Sequence, residues 1–185
     1  MYISNDKWKN WMKDFKFGTL VFIPSGELRN KVDSLRRIYD PTSAKTSMAH
    51  ITITQPFSKA LTNNEIQMIQ NLISNFASFE FTVGPVTTSP NKKLIWLDVS
   101  QKESILAIRE NLHELGLFRT DLPLTKGFIP HMTISEALRS PEEVNSINNV
   151  LNTQLKPTSL WFNSIVWILP DQKFVFHEHH TFQLK

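Results

Sequence analysis

The sequence predicts an α+β fold, on three observations. Apolar residues recur at helical spacing in some segments and crowd into short, β-branched runs in others. The two kinds of segment alternate in the same order in both halves of the chain. The tetrapeptide His50-Ile51-Thr52-Ile53 of the first half returns in the second as His131-Met132-Thr133-Ile134. Strand–helix–strand–helix–strand, run twice and followed by a closing strand, favours two small sheets facing one another.

The elements follow in order. Met1 to Lys16 reads as an added amphipathic helix, with Trp8, Trp11, Met12 and Phe15 on one side. The remaining 17–185 then form a single domain. Leu20 to Ser25 is strand-like and leads into a helix from Glu27 to Tyr39, where Leu28, Val32, Leu35 and Ile38 share a face. The first His-x-Thr strand comes next. Thr62 and Glu65 then have the spacing of a capping box, with Leu61 and Ile66 placed as a hydrophobic staple. Phe79 to Val83 is a strand. Ile95 to Ser100 repeats the opening strand and leads into a helix with Ile105, Ile108, Leu112 and Leu115 on one face. Ser100 and Glu103 suggest another capping box there, and Gly116 a stop. After the second His-x-Thr strand, Ser140-Pro141-Glu142-Glu143 opens a further helix with proline at a tolerated position. Leu160 to Leu169 and Lys173 to Leu184 read as the last strands.

Bulk properties narrow the function. The 185 residues are 41% hydrophobic and 11% aromatic, ordinary for a globular protein, and no run approaches a membrane span. Met1 to Lys9 lacks the apolar stretch of a signal peptide, so a cytoplasmic location is expected. With no cysteine there is no thiolate metal site and no cysteine nucleophile. A net charge of +3 suits an anionic ligand but is too small and dispersed for duplex DNA.

The repeated motif carries the chemistry. Residues i and i+2 of a strand project from the same face, so each copy presents one imidazole and one hydroxyl together. Imidazole gives or takes a proton near neutrality. Two of them flanking a phosphorus atom can act as general acid and general base for in-line displacement. A threonine hydroxyl can donate to a non-bridging phosphate oxygen and stabilise the charge that builds there. His50, Thr52, His131 and Thr133 are therefore the candidate catalytic residues, and this chemistry needs no metal or other cofactor. Taken singly, either motif is equally a strand histidine beside a β-favouring threonine; the pairing within a pseudo-repeat is what favours catalysis.

With Tyr39-Asp40-Pro41, His50-Ile51-Thr52-Ile53-Thr54-Gln55-Pro56-Phe57 and Gly127-Phe128-Ile129-Pro130-His131-Met132-Thr133-Ile134 in view, the chain resembles the 2H phosphoesterase superfamily. Two His-x-Thr/Ser motifs define that superfamily, which includes the bacterial 2′-5′ RNA ligase-like proteins and RNA 2′,3′-cyclic phosphodiesterases. The resemblance runs from about Phe17 to the C-terminus and is similar to a bacterial branch of phosphoesterases. It implies a bilobal fold: two mostly antiparallel sheets related by a pseudo-twofold axis, helices outside, and the four motif residues lining a central cleft. It also implies His50 as proton donor to the leaving oxygen and His131 as acceptor from the attacking water, with Thr52 and Thr133 holding the phosphate. The expected partner is a nucleotide or RNA end bearing a cyclic phosphate, and a monomer is expected. Many relatives with RNA cyclic-phosphate activity carry arginine shortly after the second motif. Here Ser135-Glu136 stands there, and Lys45, Lys126 or Arg139 must compensate.

Other features have plainer readings. Phe57, Trp96 and Phe128 are candidates to stack on a base, as aromatics do in single-strand sites, or to pack in the core. Phe57, Phe128, Lys45 and Lys126 complete the candidate substrate-binding set. His177-Glu178-His179-His180 resembles a metal cluster because His177 and His179 share a strand face, but a surface strand explains it as well. His113 reads as a boundary residue on its helix. The competing functions are a non-catalytic RNA-binding module using the same cleft, suggested by Lys126-Gly127-Phe128, and a metal hydrolase on the C-terminal histidines.

Overall fold

The computed structural model describes residues 7–24, 26–91, 93–123, 125–137 and 139–185. Its strands are β1 (Thr19–Phe22), β2 (Ile51–Thr52), β3 (Phe79–Thr88), β4 (Ile95–Val99), β5 (Met132–Ser135), β6 (Thr158–Phe162), β7 (Ser164–Pro170) and β8 (Phe176–Gln183). Its helices are α1 (Asn10–Asp14), α2 (Gly26–Tyr39), α3 (Pro41–Ala44), α4 (Asn63–Ile73), α5 (Lys102–Glu114) and α6 (Pro141–Gln154). The α+β class is as the sequence predicts.

The two expected sheets are the two halves of one antiparallel sheet of order β6-β3-β4-β5-β2-β1-β7-β8. The halves meet where Ile51 of β2 pairs with Met132 of β5. A pseudo-twofold axis through that pair relates β2 to β5 and β1 to β4. β3 and β7 exchange lobes: β3, from the first half of the chain, pairs with β4, while β7, from the second, pairs with β1. Each lobe therefore contains both halves of the sequence.

The predicted strand Leu160 to Leu169 is two strands. Asn163 alone separates β6, at one edge of the sheet, from β7, next to the opposite edge. Consecutive Cα atoms are about 3.8 Å apart, so the sheet must curl until these margins meet. Phe22 of β1 accordingly stacks on Phe162 of β6 with ring centroids 4.9 Å apart. Leu184 N also donates to the Asn163 carbonyl at 2.9 Å.

One face of the sheet buries the main core. Ile51, Ile53, Met132 and Ile134 of the motif strands meet Leu28, Val32 and Leu35 of α2 and Ile105, Ile108 and Leu112 of α5. Because strand side chains alternate, the same strands turn His50, Thr52, His131 and Thr133 to the opposite face. There, in the first lobe, Val21, Val166 and Ile168 are covered by Trp8, Phe174 and Phe176. The N-terminal helix is only five residues long, with Trp8 ahead of it in the cluster and Trp11 53% exposed; residues 1–6 lie outside the described residues. Ile38, expected on the buried face of α2, is 69% exposed, and Arg36 takes the interior place.

Capping divides the helices. Thr62 with Glu65 and Ser140 with Glu143 each form the reciprocal pair of bonds of a capping box. At α5 the cap is Gln101, in the left-handed region, because the Ser100 hydroxyl accepts from Thr82 N at 2.8 Å. Among the described residues, no helix is long and apolar enough to cross a membrane.

Candidate active site

The antiparallel register across the seam fixes the site. With Ile51 opposite Met132, His50 lies opposite Thr133 and Thr52 opposite His131. The two histidines occupy one diagonal of a square and the two threonines the other. Such diagonal neighbours have Cα atoms about 7–8 Å apart, room for a tetrahedral anion between the side chains. Two motifs some 80 positions apart in sequence thus become a single four-membered group.

The same hydrogen bond sets both rings. His50 Nδ1 lies 2.7 Å from the carbonyl oxygen of Met48, and His131 Nδ1 2.6 Å from that of Ile129. A carbonyl only accepts, so each Nδ1 carries the proton and each neutral ring offers Nε2 as its proton-accepting atom. The Met48–His50 segment is itself held by Ala49 N, which donates to Asp33 of α2 at 2.7 Å. Burial, with smaller contributions from Arg36 and His131, pushes the His50 pKa down to about 4 against the opposing effect of the Met48 carbonyl and Asp33. Burial also lowers that of His131, opposed by the Ile129 carbonyl and by Asp98 of β4.

Two buried arginines brace the motif strands. Arg36 of α2 donates to the Thr133 carbonyl at 2.9 Å and to the Ser43 and Ser47 carbonyls. Arg109 of α5 donates to the Ile53 carbonyl at 2.7 Å. Each is 3% exposed. Burial draws the Arg109 pKa down to about 10. Neither was singled out in the sequence. The available signal was an arginine within an apolar helical stripe: Arg36 four residues after Val32, Arg109 four after Ile105.

Asp40 ties α3 to the second motif. One carboxylate oxygen caps α3 through Ser43 N at 3.0 Å, and the other accepts from Glu136 N at 2.8 Å. Burial raises its pKa, but these backbone bonds and Arg36 outweigh that and leave it lowered. Glu136 therefore has a backbone role, and its side chain is exposed. Arg139 is committed to the Ser135 hydroxyl and the Tyr39 carbonyl.

The remaining sequence candidates separate clearly. Phe128 is half-buried, 6.1 Å from the His131 ring and beneath the Arg109 guanidinium at 4.3 Å. Lys126 is exposed beside it, on a groove of about 560 Å³ also walled by Arg109, Glu110 and His113. Lys45 is exposed on a smaller concavity of about 200 Å³ with Asp33, Arg37 and Met48. Phe57 is not available to a substrate: it is 1% exposed, stacked on Phe118 at 4.6 Å and edged by Trp167. Trp96 is 6% exposed and lies against His131, ring centroids 4.1 Å apart.

His113 is a boundary residue whose Nε2 accepts from Gln55 N at 3.1 Å. The C-terminal histidines do not assemble a metal site. Trp167 pairs with His180 but Ile168 with Glu178, so His179 is an extra, bulged residue and the expected shared face is lost. His177 instead meets Asp171 at 3.2 Å, and no metal-binding cluster occurs among the described residues.

Known proteins resemble the chain in sequence and in fold. The 2′-5′ RNA ligase superfamily profile matches residues 24–173. A Bacillus cereus (strain B4264) protein named "Putative phosphoesterase" is 28% identical over 140 residues, 73% of this chain and 77% of that protein. Escherichia coli LigT in complex with 3′-AMP superposes with a TM-score of 0.56 at 13% identity, covering 90% of this chain and 97% of LigT. TT0787 of Thermus thermophilus does so with a TM-score of 0.55 at 14% identity, covering 89% and 96%. At that identity the likeness is one of fold. The profile spans most of the chain and both histidine motifs, so the chain belongs to the 2′-5′ RNA ligase superfamily and thereby to the 2H phosphoesterases.

Proposed function

We propose that the protein is a metal-independent phosphodiesterase that hydrolyses a cyclic phosphodiester, such as the 2′,3′-cyclic phosphate of an RNA end or a nucleotide. The observation that carries this reading is the diagonal His50/His131 pair, each ring held by an Nδ1–H to backbone carbonyl bond that leaves Nε2 for the reaction. In the proposed step, His131 Nε2 takes a proton from water as its oxygen bonds to phosphorus. The bond from phosphorus to the departing ester oxygen breaks, and that oxygen receives the proton of His50 Nε2. The Thr52 and Thr133 hydroxyls donate to the non-bridging oxygens, whose charge grows as the fifth oxygen approaches. The proton count closes with two imidazoles, one charged and one neutral at the start and exchanged at the end. A cyclic ester suits this geometry because its leaving oxygen stays tethered.

The substrate class has independent support. Phe128, beside His131 and under Arg109, offers an aromatic face next to the phosphate position, and Lys126 a cation on the same groove. Structures of LigT, similar in fold, were solved with 3′-AMP and with ATP. A nucleotide in this groove would place its base toward Phe128. We further propose that the enzyme works as a monomer in the cytoplasm, with residues 1–16 an addition to a catalytic domain spanning 17–185.

Phosphorus NMR with a panel of 2′,3′-cyclic nucleotides and 2′-5′ dinucleotides tests this reading. Ring opening of a cyclic phosphate is expected, unaffected by chelator, and lowered by roughly 10²–10⁴ in either His50→Ala or His131→Ala. Turnover that survives both single changes, or that chelator abolishes, overturns it.

A further inference from the structure

The pseudo-twofold axis that makes the motifs equivalent makes their neighbours comparable, and one neighbour differs sharply. Thr133 is paired across β4 with Trp96, and Thr52 is paired across β1 with Val21. At related places, then, the second motif has an indole where the first has an aliphatic side chain. The indole lies nearly parallel to the His131 ring, 26° between planes with centroids 4.1 Å apart. Trp96 Nε1 is buried and makes no hydrogen bond among the described residues. Burying such a donor unpaired is unfavourable, and phenylalanine would avoid it. The ring is therefore held for its face, and indole offers the best face to a cation.

Resting on the phosphodiesterase reading above, we propose that Trp96 is a positioning residue. It clamps the His131 ring and stabilises its imidazolium form, while Val21 gives His50 no such support. The twofold ambiguity of acid and base is thereby broken by β4 and β1. A general base is helped by whatever stabilises the cation it becomes, and a general acid by surroundings that release its proton. Charged neighbours act in the same direction. His131 has Asp98 on β4, itself paired with Lys102 at 2.7 Å, and Phe128, whose ring carries the Arg109 guanidinium of α5 at 4.3 Å. His50 has Arg36 of α2 and His131 against Asp33. Hydrolysis accordingly runs with His131 accepting the proton of water and His50 releasing its own to the leaving oxygen.

The test compares Trp96→Leu with Trp96→Phe, each assayed on a 2′,3′-cyclic nucleotide. Nitrogen-15 NMR follows the His131 titration in both. Loss of the aromatic face in Trp96→Leu should lower the His131 midpoint by about one pH unit and kcat by about tenfold, with KM within about twofold. Trp96→Phe should recover most of both. An unmoved His131 titration in a folded Trp96→Leu protein, with a loss confined to KM or stability, overturns the proposal. If Trp96→Leu does not fold, Trp96→Phe decides: a phenyl face weaker than indole must still lower the midpoint measurably, and an unchanged value overturns it. A substrate with an activated leaving group separates the assignments. His50→Ala should be largely rescued and His131→Ala should not; the reverse pattern overturns the roles while leaving two-histidine catalysis intact. Failure of the parent reading is different, since then neither His→Ala variant loses turnover.

Discussion

His50 and His131 share a hydrogen-bonding scheme and differ in surroundings, and their titration is where that difference becomes measurable. The proposed step requires one charged and one neutral ring. Burial lowers the proton affinity of both, to about 4 for His50, so at neutrality the free enzyme holds both rings neutral. Productive free enzyme becomes more abundant as pH falls below the ordinary histidine value and declines again once both rings charge. The profile of kcat/KM should thus be a bell centred below about pH 6.5. A bound phosphodiester anion favours the imidazolium form and raises both values, so the kcat profile should be displaced to higher pH. Measuring both profiles on one cyclic substrate checks this; a kcat/KM optimum well above neutrality is incompatible with it. The threonines predict a different signature. Thr52→Val and Thr133→Val keep the strand and remove one donor to the developing charge, which should lower kcat by about 10–10³ and leave the pH midpoints in place. The motif residues were legible in the sequence because chemistry and strand parity are local. Phe57, placed in the substrate-binding set though open to a core reading as well, is core; an aromatic four positions beyond Ile53 carries no mark of whether it faces ligand or core. Trp96 was open to either reading, a platform for a base or part of the core, but nothing local shows that its face is occupied by His131.

At the scale of the elements, what holds the motif strands is a pair of helices that each send one arginine into the core. Arg36 and Arg109 have apolar neighbours and backbone carbonyl partners at Thr133 and Ile53. Arg109→Met would fill similar volume but leave the Ile53 carbonyl without its donor and Phe128 without the cation above it. A stability loss of about 1–3 kcal/mol is expected by urea denaturation, together with a rise in KM as Phe128 is released. An unchanged KM would separate Phe128 from the substrate. Capping is a milder lever: Ser140→Ala should cost about 1 kcal/mol without touching kcat, because α6 does not contribute to the motif group. The boxes at Thr62 and Ser140 were readable because their partners lie within four residues. The box expected at Ser100 fails for a non-local reason, since β3 claims the Ser100 hydroxyl through Thr82 N. The break at Asn163 was equally hidden, because an unbroken apolar run does not record that the chain passes from one lobe to the other.

For the whole molecule, the pseudo-repeat suggests two similar halves, yet the exchange of β3 and β7 forbids halves that fold alone. Residues up to the β3–β4 turn contain β1 and β2 but lack β7, the strand that flanks β1, and they contain β3 without either of its partners, β4 and β6. The sequence showed the repeat because each unit is local, and concealed the exchange because strand pairing is not. A single cooperative unfolding transition should follow. The indole resonances of Trp96 in one lobe and Trp167 in the other should lose native intensity at the same urea concentration. The β3–β4 turn provides a sharper test, since Pro90 and Asn91 are exposed and Ser89 N bonds across it to the Leu94 carbonyl at 3.0 Å. A chain divided there should yield two fragments that are each unstructured, because their apolar strand faces and ladder donors have no partners. Mixed in equal amounts, the fragments should restore the diagonal histidine pair and with it the proposed cyclic phosphodiesterase activity, with a rate of recovery that depends on concentration. Native-like circular dichroism from either fragment alone would mean that the sequence halves fold independently despite the exchange of β3 and β7.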